Sequence, residues 1–290
     1  SVATGLDFTF NSIVIGKGAN SVAGNTVLGE GALDASVSGG ENIAVGKNAL
    51  TALTSGTKNT AVGNVTLEDL TTGSNNTALG ADALKNTTTA SDNIAVGKDA
   101  LAINTTGTGN VAVGVNALDA NTTENYGTAI GFNVLTANTG GTNPTALGAY
   151  ALNANTTGDY NTACGYSALE LNTTGSSNTA VGHKSLEANT TAGNNTAVGY
   201  NSLLSNTTGE QNVAIGAFAL DANTTANNNI AIGYEALTNN TTGTRNLGIG
   251  RRAVKATTTG NDNTGVGYHA LELNTTGVSN VAVGTQALDA

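Results

Sequence analysis

Five rings follow a glycine directly and recur at every second repeat of the chain: Phe132, Tyr166, Tyr200, Tyr234 and Tyr268. An exposed row of this kind can stack on sugar rings or pack on a partner. The alternative, preferred here, is that the rings pack at a corner of the fold or between neighbouring chains. His183 holds the same offset in an intervening repeat, and His269 follows Tyr268. Neither has a second His, Cys or carboxylate cluster at metal-ligand spacing, so both read as solvated surface histidines. Five residues after the glycine stand Asp34, Glu68, Asp119, Glu170, Glu187, Asp221, Glu272 and Asp289, with Lys85 and Lys255 interrupting the row. Stacked carboxylates can collect cations, but an interrupted row reads as a solvated acidic edge that favours solubility. No carboxylate pair, Ser/His pair or phosphate loop stands out, so no catalytic residue, cofactor or metal is expected.

The glycine that orders these rows recurs as Gly29, Gly46, Gly63, Gly80, Gly97, Gly114, Gly131, Gly148, Gly165, Gly182, Gly199, Gly216, Gly233, Gly250, Gly267 and Gly284. A period of 17 residues used sixteen times means one structural unit repeated. Asn stands four before the glycine, as in Asn42, Asn59, Asn195 and Asn212, and is followed by Thr, Ile or Val, then Ala, then Val, Ile or Leu. Leu stands four after it, usually preceded by Ala, and a turn such as Asn172–Gly175 closes the unit. The apolar step around Leu is too short for a stable helix. The alternation across Thr179, Ala180 and Val181 fits a strand.

A three-residue strand buries nothing alone, whereas coils stacked about 4.8 Å apart pair every strand with its equivalents. The expected fold is therefore all-β: a parallel β-solenoid of 17-residue coils over residues 25–290, preceded by a cap or joint with one short coil over residues 1–24. In the motif Asn195–Gly199, Thr196 and Val198 are expected to face inward and Ala197 outward. Asn195 ladders between coils or caps a corner. Gly199 makes the bend, either because φ is positive or because a neighbouring backbone leaves no room for a Cβ. Cys164 takes the place of a Val and reads as a small core residue. Gly127 and Pro144 replace the Asn in two successive repeats, so a bulge is expected around residues 124–145, with Asn143 replacing the lost amide.

Composition narrows the function. Aromatic residues are 4% and charged residues 10%, which excludes a conventional globular core. A net charge of −10 without a basic run argues against nucleic acid and against a membrane surface. No apolar run reaches the roughly 18 residues of a membrane-spanning helix. One cysteine excludes an internal disulfide framework. The lack of Met, with Ser first, suggests a processed chain or a section of a longer one. The Asn-Thr-Thr turns at Asn86, Asn104, Asn121, Asn155, Asn172, Asn189, Asn206, Asn223, Asn240 and Asn274 match a glycosylation acceptor, and they also suit solenoid corners.

The segments Asn11–Gly16, Asn42–Gly46, Asn110–Gly114 and Asn212–Gly216 resemble the head repeat of YadA-like trimeric adhesins. Similar repeats occur in phage tail fibres and large bacterial surface proteins. The resemblance covers nearly the whole chain, although the coil is longer than is typical of that family. It implies a left-handed β-roll, three chains side by side, and a place outside the cell on a bacterial surface or a virion. The expected function is a non-enzymatic structural and adhesive fibre that binds a surface glycan or protein multivalently, with no nucleic-acid partner and no membrane insertion by this segment. The alternatives are an ice-binding solenoid and a polysaccharide-degrading solenoid enzyme.

Overall fold

A computed structural model describes residues 7–289. The chain divides into two compact units, one ending at Asn143 and one beginning at Pro144. The first opens with β1 (Phe8–Phe10) and β2 (Ile13–Gly16), followed by a single 3-10 turn at Ala19–Ser21. Its repeats then supply β3 (Thr26–Gly29), β4 (Ile43–Val45), β5 (Thr60–Val62), β6 (Thr77–Leu79), β7 (Ile94–Val96), β8 (Val111–Val113) and β9 (Thr128–Ile130). In the second unit lie β10 (Thr145–Leu147), β11 (Thr162–Cys164), β12 (Thr179–Val181), β13 (Thr196–Val198), β14 (Val213–Ile215), β15 (Ile230–Ile232), β16 (Leu247–Ile249), β17 (Thr264–Val266) and β18 (Val281–Val283).

Within each unit successive repeat strands pair in parallel and in register, Thr179 on Thr196 and Ala180 on Ala197. Each unit is a β-solenoid of 17-residue coils. The N-terminal segment differs from the short coil expected of it. β2 runs antiparallel to both β1 and β3, so Asn11–Gly16 opens a middle strand of a meander that caps the stack. Residues 1–6 of the expected cap lie outside the described residues. Across the stretch 124–145, β9 and β10 keep three residues and pair in register within their own units, while the turn after Gly131 is less regular than in most other coils.

Two asparagine ladders occupy the interior. In the first, each Oδ1 accepts the backbone N–H of the next coil's residue, from Asn25 to Asn42 at 2.9 Å and onward to Gly127, and again from Asn161 to Asn280. The Nδ2 group donates to a turn carbonyl, as Asn195 does to Gly209 at 2.8 Å. The second ladder uses the turn asparagines. Asn172 donates to Asn155, Asn189 to Asn172, Asn206 to Asn189 and Asn223 to Asn206, each at 2.8–3.0 Å, while the same Nδ2 closes its own turn. Apart from Asn274 and Asn280 near the C-terminal end, these side chains are buried, and their bonds are what makes the burial of so many amides tolerable.

The strand faces are opposite to the expectation. Ala197 is buried, while Thr196 and Val198 are only half-buried and face outward. The reason is width: the inner strand side chain meets the Leu, or the Val in its place, that the preceding repeat sends inward. At Gly248, which replaces the Ala, an added Cβ would lie 3.3 Å from Leu237 Cγ, and at Gly265 only 2.6 Å from Val254 Cγ2. Repeats from β4 onward carry Ala or Gly at this position, while β3, at the start of the stack, buries Val27 there. Cys164 lies on the outward row with the valines, half-exposed, and is not a core residue.

The inner Leu adopts left-handed backbone, with φ 52 at Leu203 and similar values in neighbouring coils. That conformation costs an L-residue about 1–2 kcal/mol, and burying a leucine offsets it by about 1.5–3 kcal/mol. The corner glycine meets both conditions considered for it. Gly199 has φ 140, and a Cβ there would stand 2.6 Å from the carbonyl oxygen of Gly216.

Inward and outward assignment is tested by a pair of substitutions at adjacent residues. Ala197→Val should lower stability by about 1–3 kcal/mol through overpacking, and Val198→Thr should change it by less than about 0.5 kcal/mol, both read from urea unfolding. The reverse order would contradict the strand orientation.

Candidate functional site

The aromatic row is denser than its sequence spacing indicates. In the second unit Tyr166, His183 and Tyr200 form a continuous stack, with centroids 5.3 and 5.2 Å apart and interplanar angles of 17° and 16°. Tyr150 meets Tyr166 edge to face at 5.9 Å. Phe218 fills the next gap, 5.3 Å from Tyr200 and 6.1 Å from Tyr234, again edge to face. Between Tyr234 and Tyr268 the filler is Arg251, whose guanidinium carbon is 5.8 and 5.7 Å from the two ring centroids. Tyr150 and Phe218 stand two residues after the glycine with positive φ, so a search confined to the residue next to the glycine misses them. Phe132, in the first unit, is exposed like Tyr166, Tyr200, Tyr234 and Tyr268.

Stacking decides what the row can offer. Tyr166 and Tyr200 each turn one face to His183, which leaves mainly edges and hydroxyls for a ligand on that side. His183 is exposed to solvent yet holds two rings together. His269 departs from the solvated reading: it is largely buried, pairs through Nδ1 with Glu272, and lies 3.9 Å from the Tyr268 ring.

The acidic row is half-buried along most of its length, with Asp34 exposed, and some of its members are paired. Lys184 bonds Glu187 at 3.0 Å, and Asn48 donates to Glu68 at 3.3 Å. Where Lys255 interrupts it, Glu235 receives Lys255 at 2.7 Å and Arg252 at 2.8 Å. The Lys255 hydrogen bond, with those of Tyr234 and Arg252, holds the Glu235 carboxyl down at about 2. Burial pushes nearby Asp221 the other way, above the usual carboxylate range. Divergent carboxyls can mark an acid–base pair, but Glu235 is committed to two cations and is not free to attack or to take a proton. Both carboxylates line an open cleft of about 490 Å³, with Phe218, Tyr234, Thr238 and Lys255 among its walls.

The surface that sequence reasoning missed is the outer face of the sheet. Its row before the glycine runs Leu147, Cys164, Val181, Val198, Ile215, Ile232, Ile249, Val266 and Val283 in the second unit. In the first unit, Phe8 pairs Ile15, Ile15 pairs Leu28 and Leu28 pairs Val45, so the row starts on the N-terminal hairpin and continues to Ile130. The strand-first row beside it holds Thr, Ile, Val and Leu. Neither row carries a charge in any coil. The alternation of small and branched residues was the signal, and only the width of the interior says which set faces out.

The glycosylation pattern does not survive folding at most turns. Asn104, Asn121, Asn155, Asn172, Asn189, Asn206, Asn223 and Asn240 are buried ladder residues. Asn86 and Asn274 are half-buried. Among the described residues no three His, Cys, Asp or Glu side chains group as a metal site. No helix there is long and apolar enough to cross a membrane. No protein-family model matches the chain, and comparison with curated proteins finds no relative.

Removing the keystone of the stack tests its energetic role. His183→Ala should destabilise the chain by about 1–2 kcal/mol in thermal or urea unfolding, from two lost ring contacts at about 0.5–1.5 kcal/mol each, and His183→Phe should retain most of it. Equal stability of His183→Ala and the parent would show that the rings stack without holding anything.

Proposed function

We propose that the chain is a non-enzymatic segment of an extracellular fibre, on a bacterial surface or a virion. In this reading three copies stand side by side, each a left-handed β-roll, and they attach multivalently to a surface. The observation that carries it is the uncharged outer sheet face. Chains with a net charge of −10 repel one another, and this apolar face is a surface on which copies can meet without opposing like charges. Its more open side chains leave about 40% of their area exposed, as in Leu147 at 43% and Ile215 at 38%, and Val198, Ile232, Ile249 and Val266 are half-buried. At on the order of 40 Å² each, two rows in the second unit present on the order of 700 Å², comparable to the ~800 Å² per partner of a stable interface. The resemblance to YadA-like heads supports threefold association, and repeated weak contacts across three chains supply attachment by multivalency.

A second reading uses the same face. Thr196 and Val198 share one flat side, so regularly spaced Thr and Val rows could order water as an ice-binding surface does. The two readings separate by whether the face is covered.

Sedimentation equilibrium of the purified chain should give a trimeric mass. Val198→Lys with Ile232→Lys should give a monomer whose circular dichroism is unchanged. A monomeric parent chain, or a trimer indifferent to both lysines, would remove the proposal, and a monomer with thermal hysteresis would replace it with the ice-binding reading.

A further inference from the structure

Ten Lys and Arg residues are spread over the chain, yet Arg245, Arg251, Arg252 and Lys255 fall within one short stretch of the second unit. Three of them have carboxylate partners: Arg245 bonds Asp262 at 2.6 Å, and Arg252 and Lys255 share Glu235. Arg251 is exposed, and the partners it has are rings: it lies between Tyr234 and Tyr268, and its Nη1 donates to the Tyr268 hydroxyl at 3.1 Å. Arg251 is thus the cation of this cluster that is set against rings, while Asp221, Glu235, Asp262 and Glu272 stand among the other three.

The ring contacts fix where the guanidinium can act. The guanidinium spends one N–H on the Tyr268 hydroxyl, and the remaining N–H groups of this exposed side chain match the paired oxygens of a carboxylate or sulfate. Tyr234 belongs to two features at once, since its ring flanks Arg251 and also walls the cleft with Phe218, Asp221, Glu235 and Thr238. That wall combines apolar ring surface with carboxylate acceptors and a hydroxyl, the mixture that recognises the C–H patches and hydroxyls of a sugar. The volume of about 490 Å³ accommodates a short saccharide.

We propose that Arg251, Tyr234 and the adjoining cleft bind an acidic saccharide, its anionic group on the Arg251 edge and its neutral ring against Tyr234 in the cleft. The inference deepens the attachment reading by naming a ligand class and a site. Arg251 stands in the one gap of the row filled by a cation, so the site is distinct from the ring-filled gaps at His183 and Phe218.

The test is a nuclear magnetic resonance titration of the full chain with three probes: a glucuronic-acid disaccharide, its carboxyl-reduced counterpart, and the reduced sugar carrying a sulfate ester. Shifts of the Tyr234 and Tyr268 ring signals with the carboxylated or the sulfated probe, at least tenfold weaker with the neutral one, are expected. Arg251→Gln, which keeps length and planarity without charge, should remove that preference, and Tyr234→Ala should weaken binding of the acidic probes. Equal response to all three probes, no response to any, or an unaltered preference in Arg251→Gln would overturn the inference. A chain that forms trimers but ignores the acidic probes would lose this site while keeping the fibre reading, whereas binding by a monomer would do the opposite.

Discussion

The structure depends on a buried amide that bonds along the stack. Each coil has too little apolar material to hold its own shape, and Asn is the side chain that can serve the coil above and the turn beside it with one acceptor and one donor. Asn195 illustrates the double duty: its Oδ1 takes the Asn212 N–H at 2.9 Å, and its Nδ2 reaches the Gly209 carbonyl. Removing such a group would leave two buried partners unpaired, at about 1–3 kcal/mol each. Because the bond joins equivalent residues, it also fixes the register, and a coil of another length would place its amide out of reach.

A narrow interior follows from the same arrangement. Where amide ladders flank both sides, the remaining space takes one Leu and small residues, which is why Ala lines the strand and Leu accepts left-handed backbone to reach the centre; where the turn Asn is missing, Leu53 and Leu70 fill its place. The branched residues are displaced to the outside. The uncharged outer face, which supports the proposed association of chains, is thus a consequence of how thin the coil is. The tyrosine row, the acidic edge and the arginine cluster occupy the corners beyond it, where sequence is free to vary between repeats.

The sequence makes the coil legible because its period, its glycine and its Asn are each tied to a backbone requirement that every repeat must meet. Gly127 and Pro144 illustrate the limit of that legibility. Each departs from the Asn of the pattern, yet the strand that follows it keeps its three residues. Strand orientation was not legible, because Thr196-Ala197-Val198 alternates equally well with either set inside, and only the Leu that faces the strand decides. The candidate site was half legible. The period reveals Tyr234 and Tyr268 as a row, but Arg251 enters it only through a side chain reaching between two rings, and Phe218 only through positive φ.

In the second unit one coil lacks the Asn of its turn ladder and so allows the central claim to be tested by addition. At position 257 Thr stands where Asn would, its hydroxyl donates to the Asn274 carbonyl, and the Asn240 Oδ1 is left buried without a partner. The measurement is the urea unfolding free energy of Thr257→Asn. If amide ladders hold the stack, the new Nδ2 supplies the missing donor and stability rises by about 1 kcal/mol. A fall in stability, or no change, would contradict the account.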